Sequence, residues 1–300
     1  MKFDVVTFGS AVIDVFVDGD IAEKKGFISY PIGEKILLKN LKYDIGGGGT
    51  NTAVAFSRLG FKTGYIGKVG KDINGNEILH QLKKEKVKFL GKRTDKGMTG
   101  YSVILDSKSK DRTILTYKGV NNNIKEKDIK KFKTKWLYFS SLLERSFQTQ
   151  LKVAKKLCSR GAKLAFNPSS YLIKEKNLSS ILKLTSILVL NKEEAEMLSK
   201  KAQIEEIIKR LHSFGPNIIV ITDKNKNIVA SDKNKIYKLK PHRIKVIERT
   251  GAGDAFASGF TAGIIIGRSI QDALKLGLEE SESVIRYFGA KNNLIKRKLK

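Results

Sequence analysis

The stretch that decides the fold is Arg249-Thr250-Gly251-Ala252-Gly253-Asp254-Ala255-Phe256-Ala257-Ser258-Gly259-Phe260. It follows a short apolar run at 244–247 and opens a helical-looking segment of small residues that continues to Ile264, Ile265 and Ile266. Gly251 and Gly253 carry no Cβ, so backbone amides can converge on one point. The helix start behind them adds unpaired N–H groups and a partial positive charge, which suits a phosphate or a developing oxyanion. Asp254 has two readings on these residues alone. It stabilises the helix start as a cap or first-turn acid, or it is a general base beside an anion hole that takes a proton from an attacking hydroxyl.

A second stretch lies two hundred residues earlier: Asp44-Ile45-Gly46-Gly47-Gly48-Gly49-Thr50-Asn51-Thr52-Ala53, followed by an expected helix over 51–59 closed by Gly60. It is not a P-loop, because no Lys-Ser/Thr follows at the required spacing, and not the dinucleotide fingerprint, whose third glycine is missing. It is either a plain tight turn or a turn that lets a ligand lie against bare backbone, with Asn51 supplying an amide. Asp14 interrupts an apolar run at 12–17 and is placed either as a turn acid or to hold a polyol at a strand end.

Outward from these two stretches the chain reads as alternating α and β. Strands are expected over 3–8, 12–17, 61–69, 136–139, 163–166, 186–190, 218–222 and 227–230. Helices are expected near 74–86, 146–160, 178–184, 192–200, 203–213, after Asp254, and over 269–276 and 278–288. Such alternation means a mostly parallel sheet covered on both faces. Two segments break the pattern: a small β excursion at 18–45 and a hairpin signal with runs at 99–105 and 112–117 around a polar turn at 106–111. Asn167, Asn191 with Glu194, and Thr222-Asp223 follow expected strands, where open α/β sheets bind ligands; each alone also reads as a helix cap or loop residue.

The 300 residues fit one large domain or two modest ones. No apolar run approaches the ~20 residues of a membrane span, and the start, MKFDVVTFGS, lacks the pattern of a secretory signal. Cys158 is the single cysteine, so no internal disulfide forms. A cytoplasmic setting is expected. The net charge of +28 raises the alternative of a non-catalytic nucleic-acid binder. Against it, the lysines are spread over nearly every segment with only a mild cluster at 291–300, and neither zinc spacing nor an aromatic stacking signature is present. A basic field also attracts anionic substrates such as nucleoside triphosphates.

On the two glycine motifs in this order, with Gly60, Gly67-Lys68-Val69-Gly70-Lys71-Asp72 and Gly75, and with Asn191-x-x-Glu194 between them, the chain resembles the ribokinase-like, or PfkB, family of sugar and nucleoside kinases nearly end to end. The resemblance implies a Rossmann-like three-layer α/β/α sandwich with a mostly parallel sheet, in a single domain carrying a small β lid from about 14–45 and 92–118. It implies an ATP-dependent transfer to a primary hydroxyl of a sugar, or of a nucleoside on the same scaffold. Asp254 would be the base, with the amides of Gly251, Ala252 and Gly253 around the transferring phosphoryl group. Asp14, Gly46, Gly47, Asn51 and Asn167 would bind substrate. Asn191, Thr222, Lys224 and Gly253 would meet the nucleotide, and Glu194 would serve Mg²⁺ through water. A homodimer through the lid is a further expectation, and no membrane partner is. Three positions depart from the family. Glu248 and Arg249 replace the frequent Asp-Thr that helps form a monovalent-cation site, leaving that cation open. Asp223-Lys224-Asn225-Lys226-Asn227 lacks the usual glycines, and Gly48 stands where ribokinases carry lysine.

Overall fold

In the computed structural model, which describes residues 1–21, 23–24, 27–107, 112–224 and 226–299, one long sheet organises the molecule. Its strand order is Ile236–Leu239, Ile228–Ser231, Ile218–Thr222, Ile187–Asn191, Lys163–Asn167, Lys133–Ser140, Lys2–Phe8, Thr63–Ile66 and Lys88–Phe89. All neighbours are parallel except the last hairpin pairs at the Ile236–Leu239 edge. The parallel strands are near-continuous runs of Val, Ile, Leu and Phe because both faces are covered. Phe8, Phe139, Phe166 and Leu190 pack toward one face, and Tyr138, Ala165, Val189 and Phe260 toward the other. The three-layer α/β sandwich expected from the alternation is therefore present.

A second, four-stranded sheet stands apart from the first, in the order Arg112–Tyr117, Gly100–Ser107, Val12–Ile21, Asn40–Gly46. It joins the two excursions read from the sequence, and the hairpin pairs as expected, with Tyr101 opposite Tyr117. Its inner pair is parallel, Val12 lying beside Gly100. Its limits differ from the expected ones. It begins at Val12, and Lys92–Thr94 pairs with Lys68–Gly70 in a separate two-stranded ladder. The turn expected over 106–111 lies outside the described residues from 108 on, as do Gly26, Asn225 and Lys300.

Several boundaries need correction. The strand read as 61–69 is two pieces, Thr63–Ile66 and Lys68–Gly70, broken at Gly67, where a Cβ would collide with the Tyr65 ring. The two helices expected over 269–276 and 278–288 are one helix, Ile270–Val284. Gly277, which falls between the two expected ranges, lies inside it and brings it against the Ala252–Ile265 helix: an added Cβ would sit 2.8 Å from the Phe256 carbonyl oxygen. The Ile236–Leu239 strand and the short Ser170–Glu175 helix were not expected from the sequence. The Lys88–Phe89 edge strand and two short turns of helix, Gly119–Asn122 and Glu126–Asp128, were not expected either; most other expected elements agree with the observed ones within a few residues, as at Ile218–Thr222 and Ile204–Ser213.

Candidate active site

The first glycine motif turns the chain out of the second sheet and into the Gly48–Arg58 helix. Gly47 caps that helix with φ 97°, a conformation open to glycine, and a Cβ there would strike the Ser10 carbonyl oxygen at 2.5 Å. Gly46 faces Asp14 so closely that a Cβ would lie 1.8 Å from its Oδ2. At Gly48 a Cβ would meet Ser140 Cβ at 2.8 Å and Asp254 Oδ1 at 3.3 Å, so any side chain there would press on Ser140.

The second motif starts the Ala252–Ile265 helix from Gly251, whose φ of 80° places it in the left-handed region. No side chain caps this end. The Ala252 amide, expected in the anion hole, instead donates to the Arg249 oxygen at 3.3 Å, and the Ala255 amide reaches back to the Gly251 oxygen at 2.8 Å, which leaves the Gly253 and Asp254 amides as first-turn donors. Gly253 is exposed, with nothing within 4 Å of where its Cβ would be. The approach to the helix start is thus open and lined by backbone. The preceding loop is drawn together by Glu248, whose Oε1 accepts from the Arg249 and Thr250 amides at 2.7 and 2.9 Å and from the Thr250 hydroxyl at 2.9 Å.

The two motifs meet. Asn51 Nδ2 donates to Asp254 Oδ2 at 2.9 Å across 203 residues of sequence. Asp254 therefore faces the glycine turn rather than capping its own helix. Burial pushes its carboxyl above the usual range, against the Asn51 hydrogen bond and the charge of Lys291, which pull it down. Asp14, from the second sheet, lies beside it. Burial raises Asp14 to about 6, opposed by a hydrogen bond with Ser102 and by Lys291, and helped by the negative charges of Asp44 and Asp254. The four-stranded sheet presents Asp14, Ser102 and Asp44 in one cross-strand row, so register alone brings three polar groups to the same place.

Lys291 was missed in the sequence. It is fully buried and donates to the Ile45 carbonyl oxygen and, at 3.2 Å, to Asn51 Oδ1. In a chain with 58 lysines and arginines no single lysine stands out, and only burial marks this one. Tyr138 and Ser140, two residues apart on one face of their strand, were also missed. Both hydroxyls are buried without a hydrogen-bond partner among the described residues, and burial, with Asp254 nearby, raises the Tyr138 phenol well above its usual range.

A second cluster forms at the ends of two central strands. Asn191 is opposite Thr222, and Thr222 Oγ1 reaches the Leu190 oxygen at 3.5 Å. Asn191 and Glu194 close a reciprocal cap: Glu194 N to Asn191 Oδ1 at 2.8 Å, and Asn191 N to Glu194 Oε2 at 2.9 Å. The cap reading from sequence is correct, and it leaves Glu194 buried with its carboxyl raised chiefly by burial. Among the described residues no three acidic, His or Cys side chains gather as a metal cage. A lone hard carboxylate fits a magnesium ion that keeps its waters and is carried by substrate phosphates. Lys224 pairs with Glu193 at 3.4 Å on the surface. Asn167 ends its strand and donates to the Val189 oxygen at 2.8 Å, which ties it to the neighbouring strand. Among the described residues no helix is long and apolar enough to cross a membrane.

Comparison with known proteins bears on this arrangement. The profile described as pfkB family carbohydrate kinase matches residues 2–297. A ribokinase of Lactococcus lactis is 28% identical, over 89% of this chain and 90% of its own. The structure of adenosine kinase from Sinorhizobium meliloti superposes with a TM-score of 0.82 at 20% identity, covering 100% of this chain and 97% of that one. Arabidopsis thaliana ribokinase complexed with ribose and ATP superposes with a TM-score of 0.81 at 19% identity, covering 99% and 97%. At these identities the two structures establish the ribokinase-like fold.

Proposed function

The chain belongs to the pfkB family of carbohydrate kinases, and on that premise we propose that it transfers the γ-phosphoryl group of ATP to a primary hydroxyl of a sugar, with Asp254 as the base. The observation that carries the reading is the 2.9 Å bond from Asn51 to Asp254, which joins the two glycine motifs in front of an open, backbone-lined helix start. An acceptor alcohol lying against Gly46 and Gly47, its hydroxyls held by Asp14 and Asn51, presents its oxygen to Asp254. The Gly253 and Asp254 amides at the helix start would face the phosphoryl oxygens. Phosphoryl transfer rests mainly on positioning and charge stabilisation, which this set supplies. A carboxylate made more basic by burial accepts the hydroxyl proton more readily.

Asn191, Thr222 and Lys224 stand as the nucleotide side of the cleft, and Glu194 would hold Mg²⁺ through water. That ion, when bound, neutralises charge on the triphosphate. Closure of the second sheet over the acceptor would exclude water, the competing nucleophile. Such a sheet also offers edges for pairing with a second copy, so a dimer through it belongs to the same reading.

Asp254→Asn tests the assignment. Turnover falls by three orders of magnitude or more while ATP dissociation changes less than about threefold; retained turnover removes Asp254 as base. A panel of ribose, fructose, adenosine, cytidine and inosine with ATP tests the acceptor. Turnover confined to nucleosides replaces the sugar reading with the nucleoside one, which the adenosine kinase fold also accommodates.

A further inference from the structure

Lys291 has a place in this site that the family-level reading does not assign. Its amine is fully buried, in a segment that follows the Ile270–Val284 helix and reaches Ile45 of the second sheet; burial pulls its pKa below the usual lysine range, and Asp44, Asp14 and Asp254 work to keep it charged. Charged and titratable groups face it and Asp254 from five directions. Asp14 comes from the Val12–Ile21 strand, Asp44 from Asn40–Gly46, Arg58 from the glycine-turn helix, Tyr138 from a central strand and Asp254 from its own helix. Three carboxylates around one ammonium would repel one another strongly without it, because the surroundings screen poorly.

The hydrogen bonds give the ammonium a second task. A primary amide has one acceptor end and one donor end. Asn51 Oδ1 receives Lys291 Nζ at 3.2 Å, and Asn51 Nδ2 donates to Asp254 Oδ2 at 2.9 Å. An ammonium can only donate and a carboxylate can only accept, so this sandwich admits one amide orientation. The Lys291 backbone is fixed in turn: its carbonyl oxygen accepts from Arg58 Nη1 at 2.7 Å, and the adjacent Ala290 amide donates to Asp44 Oδ2 at 3.1 Å. An amine serving only to fill space would not need a bidentate link between two elements of the site.

We propose that Lys291 is a positioning residue for the phosphoryl-transfer base: through Asn51 it aims an N–H at Asp254, and its charge balances the carboxylates that line the acceptor site. The proposal rests on the reading of Asp254 as base. The charge component also explains how Asp254 remains usable as a base although burial works against its ionised form.

The test is Lys291→Met, which keeps chain length and removes charge and donor. Carbon NMR of the Asp254 carboxyl, read on the free protein, shows its titration moving up by about one pH unit. The acid limb of kcat/KM, measured with the best acceptor of the panel, moves in the same direction, and kcat/KM at pH 7 drops by about two orders of magnitude with ATP affinity kept. Combining Lys291→Met with Asn51→Ala gives a loss smaller than the product of the two single losses, because the part of the lysine's effect that runs through that amide is already gone. An unmoved Asp254 titration, or fully additive losses, overturns the proposal. Should the Met variant not fold, nitrogen NMR on the unaltered protein decides: a three-proton ammonium at Lys291 across the active pH range supports it, and a neutral amine overturns it. Activity surviving Asp254→Asn would instead sink the base assignment, whatever Lys291 does.

Discussion

At the scale of single residues, the site is built from groups that water would hold more comfortably than this interior does. Asp14 illustrates the cost. Its folded carboxyl sits at about 6 against an ordinary 3.8, so between those values the folded chain binds a proton that the unfolded chain has lost. Folding stability therefore falls as pH rises through that window, and the penalty is fully present above about 6. Asp14→Asn is expected to raise Tm at pH 8, by an amount corresponding to about 2–3 kcal/mol at most, and the gain shrinks toward pH 4. Acceptor binding is lost in the same variant. Thermal melts at the two pH values check the sign, and a gain that is equal at both would show that the carboxyl's titration is not its source. Asp254 and Asn51 were legible in the sequence because each sits in a glycine-marked turn. Lys291, Asp44 and Ser102 were not, since their importance comes from cross-strand register and burial, to which no local pattern points.

At the scale of elements, the Ala252–Ile265 helix holds Asp254 where it is because a second helix fits closely along it. Gly259 and Gly263 form the seam. A Cβ at Gly259 would meet the Leu276 oxygen at 2.9 Å and Gly277 Cα at 3.0 Å, and one at Gly263 would meet Ala273 Cα and Cβ at 2.8 Å. The partner helix answers with its own small residues, Ala273 and Gly277. Gly259→Val is expected to destabilise by about 1–3 kcal/mol through overpacking, and because the helix carries the proposed base, Asp254, at its first turn, kcat should fall with it. Urea unfolding and steady-state kinetics on the same preparation check both, and a variant that is less stable yet catalytically unchanged would show that the base does not depend on the seam. The same seam explains the misread helix pair. A glycine inside a helical pattern signals a break when judged from local propensity, but here it allows close backbone approach, which outweighs its conformational cost. Likewise the strand expected over 61–69 divides at Gly67, where the chain packs against the Tyr65 ring and the second piece pairs in a different ladder.

At the scale of the whole molecule, the strand–helix alternation made the three-layer fold readable, because a parallel sheet requires apolar strands and intervening helices. The net charge of +28 is the other global property. It predicts that kcat/KM for ATP falls several-fold as salt rises from about 20 to 500 mM, as the attraction of the anionic nucleotide is screened. Rates measured across that range with a neutral crowding control check it, and a flat profile would show that the charge does not steer this substrate.

The second sheet was readable as two excursions but not in its connectivity, since nothing local announces that Val12 will lie alongside Gly100. That parallel pairing has an evolutionary corollary. The pieces of the sheet are separated in the gene by the glycine turn and the first two helices, so recombination that imports one piece brings a strand without its neighbour. A change in this ladder is therefore expected to come as point substitutions, or with exchange of the entire leading third as a cassette.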